Sequence, residues 1–315
     1  MRILSLLPSA TEIVFALGLE DSLVGVTAEC DYPPAACEKK SVSFPTIGTT
    51  AAAGDGGAGA VAGDGNGGAR SAAEIDAVVA SVVASGAPLY RLDEDVIRAL
   101  GPDLILAQDL CRVCAVPSGD VTAALDRLGC RATVLSLDPS TLDEVLAAVT
   151  AVADAAGVAT SGRRYVATLR ARLDRVRRLT AGAGRRRVLE LEWSDPPYVG
   201  GHWVPDMVEA AGGEALLTRT GVPSVPLPWG QLAGAGADVV VFAPCGYGLA
   251  QAVAEGQSLL ARPELDGVPE VWALDGGAYF SRPGPRVVDG VELLASVLHP
   301  RLVPPPPDGR ARRLR

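Results

Sequence analysis

The chain has 315 residues and a formal net charge of −9, so it is long enough for one large or two medium domains with cores of their own. Affinity for nucleic-acid backbones needs clustered Lys and Arg, so the acidic balance argues against a nucleic-acid partner. A hydrophobic content of 48% with 21% charged residues is typical of a globular protein, and no apolar run has the length needed for membrane insertion.

The N-terminus predicts a protein without a targeting segment. Met1–Leu7 carries one positive charge and leads directly through an apolar run into Pro8. A secretory signal needs a charged leader, a longer apolar core and a small-residue cleavage site, and we find none before the first predicted helix. As written, the sequence predicts a cytoplasmic protein. A start codon misassigned downstream of a lost signal would make it extracytoplasmic instead.

The first half of the chain predicts a parallel α/β lobe. Apolar runs of four or five residues bounded by turn signals are typical of buried parallel strands. The strands predicted here are Ile3–Leu7, Leu23–Thr27, Asp103–Ala107 and Thr133–Leu137. Five helices are predicted in this half. The first starts at Ser9 with a Ser9–Glu12 capping box, and the last starts at Ser140–Glu144, which has the same capping spacing, and ends at Ala156. The three between them span Ala72–Ala84, Leu92–Leu100 and Val121–Leu128.

Residues 49–70 interrupt this pattern with a segment of nearly pure Ala, Gly, Asp and Asn. Such a composition cannot bury enough apolar surface to offset its ordering entropy. The segment also lacks the lysine of a phosphate-binding loop and does not join a strand to a helix. We therefore predict a flexible surface insertion.

The second half repeats the α/β scheme. The strands predicted are Val188–Leu191, Asp238–Phe242 and Val271–Leu274, and the helices are Arg163–Leu179, Val204–Ala211, Leu249–Leu260 and Val287–Leu298. The first of these helices has the length to be a rigid link. The domains predicted are an N-terminal lobe at 1–158, a linking helix at 159–183, a C-terminal lobe at 184–300 and a disordered tail at 301–315.

Two loops of similar design are the first candidates for a binding site. Each of the segments Leu106–Cys114 and Val241–Tyr247 begins with aliphatic residues and continues into a polar loop that carries cysteine. Ligands of open α/β sheets bind at the loops that follow such strands. We expect these two loops to face one shared ligand.

Cysteine and histidine chemistry is restricted by composition. The six cysteines of a cytoplasmic chain are more often thiols than disulfides, so Cys111 and Cys114 form either a redox pair or a buried or ligand-facing thiol pair. Cys245 has no histidine near it in sequence, which disfavours a cysteine hydrolase. With only His202 and His299 available, a His-rich metal site is excluded. His202 is a candidate axial metal ligand or hydrogen-bond donor.

Aromatic residues concentrate in loops of the second half, which holds all four tryptophans. Core aromatics usually lie on helices and strands, so loop aromatics of this density favour a flat, apolar ligand. The alternative is that they pack the lobes and loops. The residues concerned are Trp193, Tyr198, Trp203, Trp229, Tyr247, Tyr279 and Phe280.

Several segments carry a resemblance to a known family. They are Ser5–Gly18, Val24–Val26, Asp31–Pro34, Pro102–Ile105, Ala210–Gly213 and Tyr279–Arg286. Together they resemble the cobalamin-binding branch of the substrate-binding proteins of ABC transporters, from Arg2 to about Pro300. The resemblance implies an α/β fold of two lobes, with parallel-type sheets flanked by helices and one long interlobe helix. It also implies a ligand clamped between the lobe rims.

The resemblance also implies a site. Glu29 and Gln108 occupy positions where first-lobe aromatics are expected, whereas Trp229 and Arg282 match second-lobe contacts. Tyr279 and Phe280 fit an aromatic pair there. The ligand-binding residues predicted from the loops and the resemblance together are Glu29, Asp31, Tyr32, Gln108, Asp109, Cys111, Cys114, Trp193, His202, Trp203, Trp229, Cys245, Tyr247, Tyr279, Phe280 and Arg282.

Members of the resembled family dock on a permease through one carboxylate per lobe. Asp95 lies near the first docking position, but the second falls in Gly230–Gly236, which has no acid.

From the loops and the resemblance together, we predict non-catalytic binding of cobalamin, another corrinoid or a related metal chelate in the cleft between the lobes. One alternative is an extracytoplasmic transport protein for cobalamin or an iron-siderophore. The other is a thiol redox protein or cysteine-dependent enzyme that uses Cys111 and Cys114.

Overall fold

The computed structural model describes residues 1–46, 70–109, 119, 121–122, 124–125, 131–304 and 309–315. The chain forms two compact units. Unit 1 comprises Met1–Pro139 and Leu146–Val166, and unit 2 comprises Ser140–Val145 and Ala167–Arg315. The insertion predicted at 49–70 lies outside the described residues except for Arg70. Among the residues described, no helix combines the length and the apolar character needed to cross a bilayer.

Unit 1 is built on a six-stranded sheet in the order β4-β3-β2-β1-β5-β6. Its strands are β1 Ile3–Ser5, β2 Leu23–Thr27, β3 Ser41–Pro45, β4 Tyr90–Leu92, β5 Leu104–Ala107 and β6 Thr133–Ser136. All neighbours are parallel except β3 and β4. The central strands β1 and β5 are buried along their whole length, as expected where both faces of a parallel sheet are covered.

The order of these strands reverses at β1, which lies between β2 and β5. Such a reversal opens a crevice at the carboxyl ends of the strands, where α/β proteins bind ligands. Gln108 and Asp109 directly follow β5 at this point. The described helices that start in the first half of the chain are α1 Pro8–Ala16, α2 Ala72–Ser85, α3 Glu94–Leu100 and α4 Leu142–Ala155, with a 3₁₀ turn at Pro34–Glu38.

Unit 2 holds a seven-stranded sheet in the order β10-β8-β7-β11-β12-β13, with β9 also paired to β7. Its strands are β7 Arg186–Ser194, β8 Pro197–Val199, β9 Gly213–Ala215, β10 Val225–Pro226, β11 Val239–Phe242, β12 Glu270–Leu274 and β13 Ala311–Arg313. The remaining helices are α5 Ala159–Thr180, α6 Val204–Ala210, α7 Trp229–Ala233, α8 Leu249–Leu259, α9 Gly276–Tyr279 and α10 Val287–Leu298, with a 3₁₀ turn at Pro263–Leu265.

The parallel strands β7, β11 and β12 form the middle of this sheet. One face carries a hydrophobic cluster that includes Leu189, Leu191, Val240, Phe242 and Val271. Because side chains alternate along a strand, Glu190 belongs to the opposite face. The fold class predicted from the sequence, α/β with parallel-type sheets flanked by helices, is confirmed.

Several helix starts differ from the prediction. α3 begins at Glu94 and not at Leu92, and α5 begins at Ala159 and not at Arg163. α1 begins at Pro8 with Leu7 as N-cap and no side-chain cap, so the Ser9–Glu12 capping box is wrong. Proline has a φ suited to the first helical position, so the helix begins one residue earlier. At α4 the hydroxyl of Thr141, not Ser140, accepts from the Glu144 amide at 3.2 Å.

Strand pairing accounts for two further differences. Residues 192–203, between the predicted strand Val188–Leu191 and the predicted helix Val204–Ala211, contain the end of β7 and the strand β8, which form an antiparallel hairpin. The tail predicted to be disordered contains β13, which pairs antiparallel with β12. A local pattern misses β13 because its hydrogen-bond partner lies elsewhere in the chain. The predicted link at 159–183 corresponds to α5, within which the boundary between the two units falls at Val166–Ala167.

An ion-pair network joins α5 to α10 within unit 2. The Arg172 guanidinium donates to Asp289 at 2.6 Å and to both carboxylate oxygens of Glu292 at 2.6 and 3.1 Å. These two carboxylates raise the pKa of Arg172 above its usual range, against the opposing effect of burial. Two acids on one helix thus share a single half-buried cation.

Replacing Arg172 with Met should lower the free energy of unfolding by about 1–2 kcal/mol, because charge-assisted hydrogen bonds are lost and two carboxylates are left adjacent. Urea denaturation measures this loss. Arg177→Met is the matched control, since the ion pair of Arg177 is with the exposed Asp174 on its own helix and its loss should change the free energy of unfolding by less than about 0.5 kcal/mol. Equal losses of stability in the two variants would contradict the stabilising role of the Arg172 ion pairs.

Candidate functional site

The carboxyl edge of the unit 2 sheet presents three segments, which we call the unit 2 rim: the end of β7 at residues 192–194 and the loops at 243–248 and 275–286. Hydrogen bonds connect these segments directly. The Cys245 amide donates to the Glu192 carbonyl at 3.0 Å, and the Gly277 amide donates to the Tyr247 carbonyl at 2.9 Å. The Gly246 amide donates to the Ser281 hydroxyl at 3.4 Å. The rim is therefore one continuous surface and not three independent segments.

An aromatic pair lies on this rim. The rings of Trp193 and Tyr247 meet edge-to-face, with centroids 5.4 Å apart and planes at 66°, which is a favoured geometry for aromatic contacts. Both side chains are half-buried. Burial, together with the charge of Glu255, raises the pKa of Tyr247 to about 12. The phenol is therefore protonated at neutral pH and available as a hydrogen-bond donor.

Tyr279 adds a second aromatic position to the rim. Tyr279 is the last residue of α9. Asp275 is the N-cap of this helix, and its side chain accepts a hydrogen bond from the Ala278 amide at 2.8 Å. Guanidinium groups lie over the Tyr279 ring: Arg310 at 5.4 Å and Arg286 at 6.0 Å from the centroid. Burial raises the pKa of Tyr279, and the two arginines act in the opposite direction. Arg282 lies half-buried in the same loop, and Cys245 is exposed.

Trp203 and Phe280 lie in the interior of unit 2, although the sequence predicts ligand contacts for both. Their side chains are 5% and 2% exposed. The Trp203 indole donates to the Phe280 carbonyl at 2.8 Å, so its polar atom is satisfied within the fold. Both side chains therefore pack within unit 2, and a ligand contact for either stays a prediction.

His202 lies away from the rim, because β8 begins at the carboxyl edge and runs towards the other edge before reaching it. Its backbone has a φ of 49°, and its ring stacks on Trp203 with centroids 5.7 Å apart. Burial lowers the pKa of His202, which favours the neutral imidazole. No group of three or more His, Cys, Asp or Glu residues in the described part of the chain could hold a metal ion. A role as axial ligand stays a prediction.

Trp229 begins α7 and packs against the hydrophobic cluster of unit 2. The Arg262 guanidinium lies 4.7 Å from its ring centroid, in a cation–π contact. Its indole N–H is buried and has no acceptor among the described residues. The ring is thus occupied by contacts within unit 2. Stacking of Trp229 on a ligand, as the resemblance implies, stays a prediction.

Glu190 is a functional candidate that the sequence reasoning missed. Its side chain lies in the middle of β7 and is 3% exposed, and neither carboxylate oxygen has a partner of hydrogen-bond geometry among the described residues. The carboxyl lies against Gly200, where a Cβ would overlap it. Burial, with the charge of Glu192, raises the pKa of Glu190 well above its usual 4.5, and the Gly200 amide opposes this only in part.

The carboxyl edge of the unit 1 sheet holds several of the other predicted residues. The Tyr90 hydroxyl donates to Glu29 at 3.3 Å, and Gln108 is buried at the end of β5. Asp109 is exposed, and its side chain accepts from the Ser136 hydroxyl at 3.2 Å. Polar side chains therefore line this edge, in contrast to the aromatic rim of unit 2.

The remaining predicted residues have simpler surroundings. Tyr32 is 45% exposed, and Asp31 beside it is half-buried. Asp95, the predicted docking residue, has a side chain that is 90% exposed and accepts from Arg98 at 2.7 Å. Cys111 and Cys114 lie outside the described residues.

Each of the two α/β units has loops at the carboxyl edge of its parallel strands, where α/β proteins bind ligands. This is the architecture of a two-lobed binding protein. The family model described as periplasmic binding protein matches residues 3–271, and the chain belongs to this family. A vitamin B12-binding protein of Vibrio cholerae serotype O1 is 26% identical over 306 residues, which cover 94% of this chain and 88% of that protein.

Solved structures agree with this fold. The crystal structure of the periplasmic vitamin B12 binding protein BtuF of Vibrio cholerae has a TM-score of 0.64 and 24% identity, covering 94% of this chain and 96% of that one. The periplasmic heme-binding protein RhuT from Roseiflexus sp. RS-1, in apo form, also has a TM-score of 0.64, with 23% identity over 95% and 98% of the two chains. The resemblance inferred from the sequence is therefore confirmed at the level of family and fold.

Proposed function

We propose that this protein binds a corrinoid such as cobalamin, or a related metal chelate, and releases it unchanged. The observation that carries the proposal is the aromatic pair of the unit 2 rim, formed by Trp193 and Tyr247. Tyr279 lies on a neighbouring loop of the same rim, which is hydrogen-bonded to the Tyr247 carbonyl through Gly277. The names of the relatives support the same ligand class, since they bind vitamin B12 or heme.

The chemistry of the rim suits a large, flat chelate. Half-buried aromatic rings offer apolar area at little entropic cost, because each has few rotatable bonds. The neutral phenol of Tyr247 offers a donor to peripheral amide or carboxylate groups of a macrocycle. Hydrogen bonds between the three segments hold these side chains in place before a ligand arrives, and such preorganisation reduces the cost of binding.

The proposed site also includes residues of unit 1, although the proposal does not depend on them. Glu29, Gln108 and Asp109 lie at a carboxyl edge of the type that binds ligands in α/β proteins. We predict that they supply polar contacts to the same chelate. That the two units share one ligand is likewise a prediction taken from the resemblance.

A delivery role with an ABC permease is the second candidate, and membership of the periplasmic binding protein family favours it. Asp95 is exposed and suits the first docking position, but no acid is present in Gly230–Gly236 for the second. The role requires the protein to lie outside the cytoplasm. Fractionation of cells that express the gene from its own promoter tests this, and recovery only in the cytoplasmic fraction would exclude permease docking.

Calorimetric titration with cobalamin, cobinamide and heme tests the proposed function. We expect at least one of these ligands to bind with a Kd of roughly 1 μM or tighter. The absorption spectrum of the ligand recovered after denaturing the protein should equal that of the ligand added, since no catalytic role is assigned. Absence of binding by all three chelates would contradict the proposal.

A further inference from the structure

We propose that Arg310 is a positioning residue that holds the Tyr279 ring in its place on the unit 2 rim, and that the C-terminal strand β13 serves to anchor it there. The inference rests on the proposed function, in which Tyr279 contacts the ligand. Neither residue lies within the family match, which ends at residue 271. Arg310 also lies beyond the resemblance seen in the sequence, which extends to about Pro300.

The backbone brings Arg310 to the rim. β13 pairs antiparallel with β12, and Ala311 lies opposite Leu274, the last residue of β12. Arg310 precedes Ala311, so it reaches the carboxyl edge from which α9 begins. Its carbonyl accepts from the Asp275 amide at 3.4 Å, and the Asp275 carbonyl accepts from the Tyr279 amide at 3.2 Å. Asp275 thus links the backbones of the two residues.

The side chains then meet directly. The Arg310 guanidinium lies 5.4 Å from the Tyr279 centroid, within the range of a cation–π contact. A planar guanidinium also stacks on an aromatic face in a way that an ammonium group does not. Arg310 is half-buried, so solvent screens the contact less than it would at a fully exposed position.

The rest of the tail is fastened firmly enough to serve as an anchor. Leu314 packs against the hydrophobic cluster of unit 2. The Arg315 guanidinium donates to the Leu265 carbonyl at 2.7 Å and to the Leu260 carbonyl at 3.2 Å. Two points of attachment beyond the strand itself therefore hold Arg310 at the rim. Because truncation would also remove Leu314 from the core, point substitution of Arg310 is the sharper test.

The first experiment needs no ligand. Protein labelled with 3-fluorotyrosine should give a ¹⁹F NMR signal for each of its six tyrosines, and Tyr279→Phe identifies the signal of Tyr279. We expect Arg310→Ala to shift that signal, and Arg310→Lys to shift it less. Arg312→Ala, which removes the same charge from an exposed position on the same strand, should leave it in place. An unchanged Tyr279 signal in Arg310→Ala would overturn the proposal.

The second experiment uses cobalamin and calorimetry. We expect Arg310→Ala to raise the Kd roughly fivefold, the scale of one lost cation–π contact, and Arg312→Ala to leave it unchanged. In a Tyr279→Ala background, Arg310→Ala should cause no further loss, because the residue acts through the ring. A full additional fivefold loss there would refute a positioning role. If the wild-type protein binds no chelate, the proposed function fails, and the NMR comparison alone decides whether Arg310 positions Tyr279.

Discussion

Replacing Glu190 with Gln should stabilise unit 2 at neutral pH, and the gain should disappear as the pH falls towards 4.5, the usual pKa of the carboxyl. The Glu190 carboxylate has no hydrogen-bond partner among the residues that the structure describes, so burial makes its charged form costly in the folded state. The folded protein therefore keeps the Glu190 proton to a higher pH than the unfolded chain does. A glutamine of the same shape carries no charge to bury, so we expect the free energy of unfolding to rise by about 1–3 kcal/mol at pH 8.

The sign of this effect follows from proton linkage. Between pH 4.5 and the raised pKa of the folded state, Glu190 is protonated when folded and ionised when unfolded. Stability due to this group is fully present below pH 4.5 and is lost as the pH rises through the folded pKa. Glu190→Gln should remove this part of the pH dependence and so flatten the stability curve on its alkaline side.

Urea denaturation at several pH values between 4.5 and 8.5 measures the effect. All four tryptophans belong to unit 2, so intrinsic fluorescence reports the unfolding of that unit. Glu214→Gln is the matched control, because Glu214 lies exposed on β9 and its replacement should leave the curve unchanged. If the free energy of unfolding changes with pH in the same way in Glu190→Gln and in wild type, folding does not raise the pKa of Glu190 and the prediction is wrong.

The second large effect concerns ligand affinity. Trp193→Ala should weaken binding of cobalamin by about 1–3 kcal/mol, or roughly tenfold to more than a hundredfold in Kd, because an aromatic anchor at the centre of an interface contributes on this scale. The substitution also removes the edge-to-face partner of Tyr247. Calorimetric titration of variant and wild type under the same conditions gives the difference.

Trp272→Ala is the control for this prediction. Trp272 lies within β12, where its indole donates to Glu270 at 3.0 Å, and it is not part of the unit 2 rim. Its loss should lower stability but leave the Kd within about twofold of wild type. Circular dichroism before titration establishes that both variants are folded. Equal losses of affinity in the two variants would place the ligand elsewhere.

Local pattern predicts the main elements of this fold well. The apolar runs at Leu23–Thr27 and Val287–Leu298 give a strand and a helix with the predicted limits. The hairpin of β7 with β8 and the strand β13 could not be predicted in the same way. β13 is stabilised by pairing with the distant strand β12, and the loop and tail compositions around both features carry no periodic signal.

Individual site residues were harder to predict than the elements that carry them. The alternation of Glu190 and Glu192 with leucine is typical of a strand with one solvated face, but the structure buries Glu190. Trp203 and Phe280 have the loop context of ligand contacts and yet lie in the interior. Burial depends on what packs over a position, and the sequence near that position does not contain this information. For Trp193 and Tyr247 the aromatic type and the position after a strand pointed to the edge of the sheet, where both lie, and their contact with a ligand stays a prediction.

The two short strands at the ends of the unit 2 sheet have a consequence for self-association. An exposed strand edge is a template for pairing with another chain, and proteins limit this with short strands, prolines and charges. β10 has two residues and ends in Pro226, while β13 has three and presents the exposed Arg312 and Arg313. Both edges of this sheet are therefore poor templates, so the sheet resists intermolecular β-pairing even when the protein is concentrated.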